Sequence, residues 1–154
     1  MLNGENMNEY NKDKWGLTVR GIIKNNDDEI LLLKRHHKSR NDPEKWEFPG
    51  GKVDKGEYFE AALIREFKEE TNLDINVKEL YDAVENEFIS CKDGNIVKTV
   101  QIIMKVNIKS GELKLSHEHE DYRWLKIDEI KGLYNENLLS STVEKVLKKQ
   151  EFNI

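Results

Sequence analysis

At 154 residues the chain is long enough for one compact domain with its own core and too short for two comfortable ones. Apolar residues make up 37% and charged residues 36%, but the apolar ones fall in periodic runs, which argues against a disordered chain. The formal net charge of −5 argues against a nucleic-acid polymer as partner. An acidic chain that holds phosphates must supply cations locally, from placed Lys or Arg or from metal ions.

The single cysteine, Cys91, excludes an internal disulfide and suits a reducing compartment. No apolar run has the length needed to cross a bilayer, and the N-terminus lacks the apolar core of a signal peptide, so the expected location is the cytoplasm, with no membrane partner. Residues 1–13 are polar and Asn-rich and read as a frayed, disordered leader, with 14–154 as a single domain.

In chain order, Leu17, Val19, Ile22 and Ile23, then Ile30-Leu31-Leu32-Leu33, predict two strands joined across Asn25-Asn26-Asp27-Asp28, which is turn chemistry. Lys34-Arg35-His36-His37-Lys38 follows, a basic patch in an acidic chain. A loop with Asn41-Asp42-Pro43 leads to a short apolar piece, Trp46-Glu47-Phe48, that stops at Pro49-Gly50-Gly51-Lys52. Over residues 58–71, Phe59, Leu63 and Phe67 recur at four-residue spacing without Pro or Gly, and predict a helix. Two β-rich runs, Ile75 to Ile89 and Ile96 to Ile108, meet at Lys92-Asp93-Gly94-Asn95, a Gly-containing hairpin turn. Tyr122 to Ile127 adds a short strand, and Leu139, Val143, Val146 and Leu147 predict a last helix within Asn135 to Lys149. The order β, β, α, β, β, β, α predicts one α/β domain, a mixed sheet with helices packed on it.

On the first helix, at about 100° per residue, Leu63, Ile64 and Phe67 share a face that can pack on the sheet. Glu66, Glu69 and Glu70 fall together on the adjoining arc, where like charges repel and Arg65 and Lys68 offset only part of the repulsion. Such a helix is more often a solvated face. The same cluster is also what a hard divalent cation needs, since Mg²⁺ is held by a few carboxylates plus substrate phosphates and water.

The upstream residues separate these readings. Gly51, five residues, Glu57, seven residues, then Arg65-Glu66-Phe67-Lys68-Glu69-Glu70-Thr71-Asn72-Leu73 closely resembles the signature box of the Nudix hydrolases. Every charged position and both spacings agree over 23 residues, and the lead-in Trp46-Glu47-Phe48-Pro49-Gly50-Gly51 resembles the MutT-like members. Phe67 stands where the family has a bulky aliphatic, and should still fill a core site. Asn72 stands where the family has Gly, and Asn is the residue that best tolerates the left-handed helix end expected there. The basic end of the second strand, and His117-Glu118-His119-Glu120-Asp121 before a Trp-containing strand, extend the likeness from about residue 17 to 130.

The resemblance implies an α/β/α sandwich that hydrolyses a nucleoside diphosphate linked to another group. It implies Glu66, Glu69 and Glu70 as ligands of one to three Mg²⁺ ions, Mn²⁺ being a substitute, with the Gly50 carbonyl as a further ligand. Glu66 or Glu69 would orient or deprotonate the attacking water. A Glu ahead of the Trp-containing strand supplies another ligand or the base in many members; Glu118 is the first choice and Glu120 the second. Glu57 and Arg65 read as a structural ion pair rather than as catalysts, and Gly51 as the residue that lets the backbone turn where a side chain would block metal or phosphate. Arg35 either contacts substrate phosphate or is a surface cation. A zinc site of His117 and His119 is weighed against a solvated loop, the commoner meaning of short His-Glu runs; His36 and His37 read as loop residues. Trp15, Trp46, Tyr81 and Phe88 are candidates to stack on a base, each weighed against a place in the core.

The box specifies the chemistry and not the leaving group. The chain has no Pro after Pro49 and no Tyr between Tyr81 and Tyr122, which leans against ADP-ribose and diadenosine polyphosphates by the family's downstream habits. The MutT-like lead-in favours a (deoxy)nucleoside triphosphate, an oxidised purine deoxynucleotide among the candidates, cleaved to monophosphate and pyrophosphate, with Asn135 and Asn137 placed to read a base edge. Nucleotide-sugar hydrolysis, a non-catalytic nucleotide sensor and a purely structural acidic helix stay open. The sequence is silent on oligomeric state, and a homodimer, common in the family, stays open too.

Overall fold

The computed structural model describes residues 14–150, so the expected leader over residues 1–13 lies outside the described residues. The elements are β1 (Lys14–Ile23), β2 (Ile30–Arg35), β3 (Trp46–Glu47), β4 (Gly50–Lys52) and α1 (Phe59–Thr71), then β5 (Asp74–Ile89), β6 (Ile96–Ser110), β7 (His119–Leu125), α2 (Ile127–Asn135) and α3 (Ser141–Gln150). Successive side chains of a strand point to opposite faces, and here both faces are covered. Val19, Ile23, Leu31 and Leu33 pack with Ala62, Leu63 and Phe67 of α1. Ile22, Ile30 and Leu32 face the other way, onto Ile130 and Leu133 of α2 and Val143 and Val146 of α3. That double coverage is why these strands read as near-continuous apolar runs, and it makes the expected α/β/α sandwich.

The strands form two sheets. One is mixed, in the order β4-β1-β6-β5, with β1 and β6 parallel and the outer pairs antiparallel; the other is antiparallel, β3-β2-β7. The turn at Asn25 hands the chain from the first sheet to the second: its Oδ1 accepts N–H bonds from Asp27 (2.9 Å) and Glu29 (3.0 Å). The Pro-Gly-Gly turn hands it back. The expected short piece at Trp46 is β3, in one sheet, and the turn residues after it form β4, in the other; the Pro49 carbonyl accepts the Gly21 N–H at 2.9 Å between them.

Two expectations need correction. Ile64 points outward, 43% exposed; the buried face of α1 is Ala62, Leu63, Phe67, Glu70 and Thr71. The tail is two helices rather than one, and Ile127 starts α2 instead of ending a strand. Ile127, Ile130 and Leu133 supply the three-residue spacing of α2, and the Glu129 carboxylate accepts the Lys126 N–H at its start, 2.8 Å. Asn72 closes α1 in the left-handed region, φ 62°, with its N–H on the Lys68 carbonyl. No helix among the described residues is long and apolar enough to cross a membrane.

The glutamate helix lies close on β1 because Gly21 is there. A Cβ built at Gly21 would stand 2.5 Å from Cε2 of Phe67, whose ring is fully buried. Gly21→Ala is therefore expected to cost about 1–3 kcal/mol in denaturant unfolding, the usual cost of overpacking a core. Adding Phe67→Leu should recover part of that loss; equal costs with Phe and with Leu would show that the two sites are not coupled.

Candidate active site

Four polar side chains from four strands meet under the junction of the two sheets. Glu47 of β3 is buried, 6% exposed, and Arg20 of β1 (3.3 Å), Arg35 of β2 (2.9 Å) and His119 Nε2 of β7 (2.9 Å) converge on its carboxylate. Burial alone would raise this acid. Arg20, the hydrogen bond from His119 and Arg35 outweigh it and lower Glu47 to about 2. Arg20 does more than neutralise: its Nη1 also donates to the carbonyls of Phe48 (3.1 Å) and Gly50 (3.0 Å), fixing the turn on either side of Pro49.

That turn positions the helix carboxylates. Gly50, at φ 137°, has its missing Cβ 2.1 Å from the Val19 carbonyl oxygen, so no side chain fits. Its N–H donates to Glu70 Oε2 at 2.9 Å. Glu70 is buried, and burial followed by the charge of Glu47 pushes its acid well above the usual range, Arg20 and the Gly50 N–H acting the other way. Glu66 lies behind Gly51, where a Cβ would stand 2.5 Å from its carboxyl carbon. Burial raises Glu66 as well; Arg65 opposes the rise, and Glu69 and Glu118 add to it.

Arg65 binds Glu57 through Nε (2.9 Å) and Nη2 (3.0 Å), a two-pronged pair, and also donates to the Lys52 carbonyl (3.1 Å) and Glu66 (2.9 Å). Through these bonds it ties the loop ahead of α1, the end of β4 and the helix together. Hydrogen bonding to Arg65 and then to the Asp54 N–H lowers Glu57. Glu69 is more than half exposed and, among the described residues, pairs with Arg65 at 3.3 Å. Glu118 is exposed, in the turn just before β7, and the loop before it is pinned to α1 by the Ser116 N–H on the Glu70 carbonyl, 3.2 Å. Carboxylate oxygens of Glu70 and Glu118 and a ring nitrogen of His119 lie within 4.8 Å of one another, a group that can hold a metal ion and that excludes Glu66, Glu69 and His117. Glu120 is turned away from this group, bonded to His37.

Beside the carboxylates opens a polar cleft of about 250 Å³. Thr18, Arg20 and Gln101 form its floor, Asn86 and Phe88 of β5 one wall, and Ser141 and Thr142 at the start of α3 another. A wider cleft of about 690 Å³ shares Arg35 and Asn41 with it and is lined by Lys38, Arg40, His117 and Glu118. Of the four aromatic candidates, Phe88 lines the smaller cleft, Trp46 is buried in the core, Tyr81 packs against that core and Trp15 is exposed at the far end of β1. Asn135 and Asn137 line neither of these clefts; the serines and threonine five residues on do. Arg35 borders both clefts with its guanidinium committed to Glu47 and the Asn41 carbonyl.

Sequence reasoning missed Arg20, Glu47, Gln101 and the buried role of His119. A signal existed for the first two: a cation in the apolar run of β1, and a carboxylate between two aromatic residues just before a Pro-Gly-Gly turn.

The sandwich, with a glutamate-bearing helix docked on a glycine turn between two sheets, defines the class to which the chain belongs. The NUDIX domain family profile matches residues 14–147, and the chain belongs to that family. It is similar to an ADP-ribose pyrophosphatase of Methanocaldococcus jannaschii, 34% identical over 119 residues, which are 76% of this chain and 65% of that protein. It is also similar to the 8-oxo-dGTP diphosphatase of Escherichia coli K12, 38% identical over 68 residues, 44% of this chain and 52% of that one. The matches thus span about half to two thirds of these relatives' lengths. Among solved structures, a MutT protein from Methanosarcina mazei Go1 superposes with a TM-score of 0.77 at 27% identity, covering 90% of this chain and 94% of that one. Nudix hydrolases generally use a divalent metal, and the donors here fit one: oxygen-rich, with two carboxylates whose burial disfavours their charge.

Glu47 gives the site a pH-dependent anchor. Its folded value, about 2, lies below the usual 4.5, so its stabilisation is complete above pH 4.5 and is lost as pH falls through about 2. The shift corresponds to roughly 3 kcal/mol. Glu47→Gln is expected to lower unfolding free energy by about that amount at pH 6, with the gap to wild type narrowing between pH 4.5 and 2. A gap that stays constant over that range, in paired urea titrations, would show that the Glu47 charge is not what holds the cluster.

Proposed function

We propose that the chain hydrolyses a phosphoanhydride bond of a nucleoside triphosphate, releasing monophosphate and pyrophosphate, with Mg²⁺ as cofactor and Mn²⁺ as substitute. The observation that carries this reading is the continuity of the small polar cleft with the carboxylates through Gly51, which lines the cleft on one side and touches Glu66 on the other. A cleft of this size suits one nucleoside, with Phe88 against the base and Asn86, Gln101 and Thr142 in reach of its edges.

Glu70, Glu66 and the Gly50 carbonyl are the proposed donors on the helix side, with Glu118 facing them. The Gly50 oxygen already accepts from Arg20 and keeps its second lone pair for this. When bound, the cation supplies charge neutralisation of the phosphates and a more acidic water. Glu66 is the better candidate to orient the attacking water and take its proton: it is mostly buried beside the cleft, whereas Glu69 is largely exposed and tied to Arg65. The water oxygen bonds to phosphorus as the bridging P–O bond breaks, and pyrophosphate departs towards the cationic side of the wider cleft, past Arg35 and Lys38.

A second reading has a specific observation behind it. The wider cleft, with Lys38 and Arg40, is large enough for a second group linked through the diphosphate, as in ADP-ribose or a dinucleoside polyphosphate. A nucleotide panel assayed with Mg²⁺, its products followed by ³¹P NMR in ¹⁸O water, separates the readings. Triphosphates yielding pyrophosphate support the first, and dinucleotides yielding two nucleotides support the second. Tight binding of a nucleotide with no turnover of any would leave a sensor.

Glu70→Gln is expected to lower kcat by at least ~10²-fold, the scale of a lost transition-state charge contact. Near-wild-type turnover would remove Glu70 from the machinery. Phe88→Ala should raise KM about tenfold with little change in kcat, since stacking acts equally on ground and transition states. A fall in kcat at unchanged KM would move Phe88 out of the base-binding role.

A further inference from the structure

Glu120 is the odd residue of a bulge. β2 and β7 pair Lys34 with Asp121 and Arg35 with His119, so Glu120 falls between two rungs and, among the described residues, has no partner in the ladder. A bulge re-aims the side chain it carries. Here the Glu120 carboxylate reaches the segment that follows β2, and its Oε1 accepts the His37 N–H at 2.9 Å. That segment turns at once, the Ser39 N–H closing on the His36 carbonyl at 2.9 Å, with His37 and Lys38 at the corners. Neighbours in an extended chain point to opposite faces. The turn instead brings both imidazoles to one side, stacked with centroids 4.3 Å apart and planes 27° apart. Each ring presents a defined nitrogen to the same oxygen: His37 Nδ1 is bonded to Glu120 Oε1, and His36 Nε2 stands 4.0 Å from it. Ligand atoms of the three side chains all lie within 4.8 Å of one another, and none of the three belongs to the group around Glu70.

We propose that His36 Nε2, His37 Nδ1 and Glu120 Oε1 form a second cation site, at the surface, for a borderline divalent ion, Zn²⁺ in particular. Two imidazoles and one carboxylate match the nitrogen-and-oxygen donor sets of Zn²⁺, Ni²⁺ and Cu²⁺ and offer little to Mg²⁺, which takes oxygen. Donors at about 2.1 Å from one ion are at most ~4.2 Å apart, so small rotations of these side chains close the group. All three side chains are partly exposed, 35%, 54% and 26%, which leaves the remaining coordination positions to water. Binding rearranges protons without losing any. The His37 Nδ1 proton passes to its Nε2. His36 Nδ1 accepts the Lys38 N–H at 3.1 Å, so the neutral ring holds its proton on Nε2; binding moves that proton to Nδ1 and gives the Lys38 N–H to water. Lys34 pairs with the other oxygen, Oε2, at 3.9 Å and leaves Oε1 to the ion. The zinc pair weighed from the sequence is not the pair that the fold assembles, since His117 lies outside this group and His119 is buried against Glu47. The ion clips the end of β2 to β7. Because the His36 N–H donates to the Glu118 carbonyl at 3.1 Å, the clip also steadies the chain that lines the wider cleft.

This site stands apart from the proposed hydrolysis, and its test needs no turnover. Zn²⁺ is titrated into the full-length chain in saturating Mg²⁺, which occupies the oxygen donors of α1. The histidine ring nitrogens are read by long-range ¹H–¹⁵N correlation NMR on the wild-type protein. The expected result is that one equivalent of Zn²⁺ moves His36 Nε2 and His37 Nδ1 to the range of metal-bound imidazole nitrogens, while the rings of His117 and His119 keep their shifts. By calorimetry, His37→Gln and Glu120→Gln should each weaken Zn²⁺ binding at least ~10-fold, the lower bound being the loss of an outer-sphere partner, and His117→Gln should leave it unchanged. Zn²⁺ that does not bind in the presence of Mg²⁺, or that binds and moves the His117 or His119 nitrogens instead, overturns the site. Either result would leave the carboxylate centre and the proposed hydrolysis untouched, and absence of nucleotide turnover in Mg²⁺ alone would leave this site untouched.

Discussion

The ionised carboxylate of Glu47 is the interaction on which the site depends. It comes from the shortest strand, and its three partners come from β1, β2 and β7. One anion therefore ties the mixed sheet to the antiparallel one at the point where they diverge. The desolvation penalty of such an ion is large, and it is offset here because both oxygens are engaged by charged or polar donors. From Glu47 the order passes outward: Arg20 also grips the carbonyls around Pro49, the turn presents the Gly50 N–H, and that N–H holds Glu70. The glutamates of α1 are thus positioned relative to the strands by a chain of hydrogen bonds and not by helix packing alone.

Glycine makes that chain short enough. Gly50 turns against the Val19 carbonyl, and Gly51 leaves room for the Glu66 carboxyl. Gly21 admits the Phe67 ring, so the helix sits low on β1. Phe67 is larger than the aliphatic residue that the signature carries, and the added bulk is accommodated against the residue with no side chain. Packing and site geometry are therefore one constraint, since lifting α1 off the sheet would also lengthen the Gly50–Glu70 bond.

Much of this architecture was legible in the sequence where a residue's period or spacing carries the message. The runs of β1 and β2, the hairpin at Gly94, α1 and its close at Asn72 all follow from local patterns, and the box spacing placed Glu57 against Arg65 and the glutamates on one helix. What was not legible depends on which strands become neighbours. Nothing local to Glu47 says that Arg20, Arg35 and His119 will surround it, because these positions lie 27, 12 and 72 residues away. The same holds for the cleft. Ser141 and Thr142 reach it because the segment from Leu138 to Ser140 hydrogen-bonds to the backbone of Trp46, and a search for base-reading side chains in the sequence settled on Asn135 and Asn137 instead. Ile64 failed for a different reason: a helix contacts a twisted sheet over a narrower arc than its apolar stripe suggests.

The electrostatics of the site also bear on how an acidic chain would handle the phosphates of the proposed substrate. Its local cations are divided unequally. Arg20 and Arg35 serve Glu47, and Arg65 is shared between Glu57 and Glu66, so among the described residues Glu70 is left with the Gly50 N–H and no ion pair of its own. Burial then disfavours the charge of Glu66 and Glu70, and Glu47, Glu69 and Glu118 add repulsion. A divalent cation reverses both effects at once, since it supplies the missing charge and turns repelling carboxylates into common ligands. An anionic substrate cannot approach this cluster unaccompanied, but it can arrive already bound to a metal ion, or find one in place. The protein keeps its arginines for architecture, and under the proposed function recognition of the diphosphate would fall to the ion, whose identity is then a property of the donors around it.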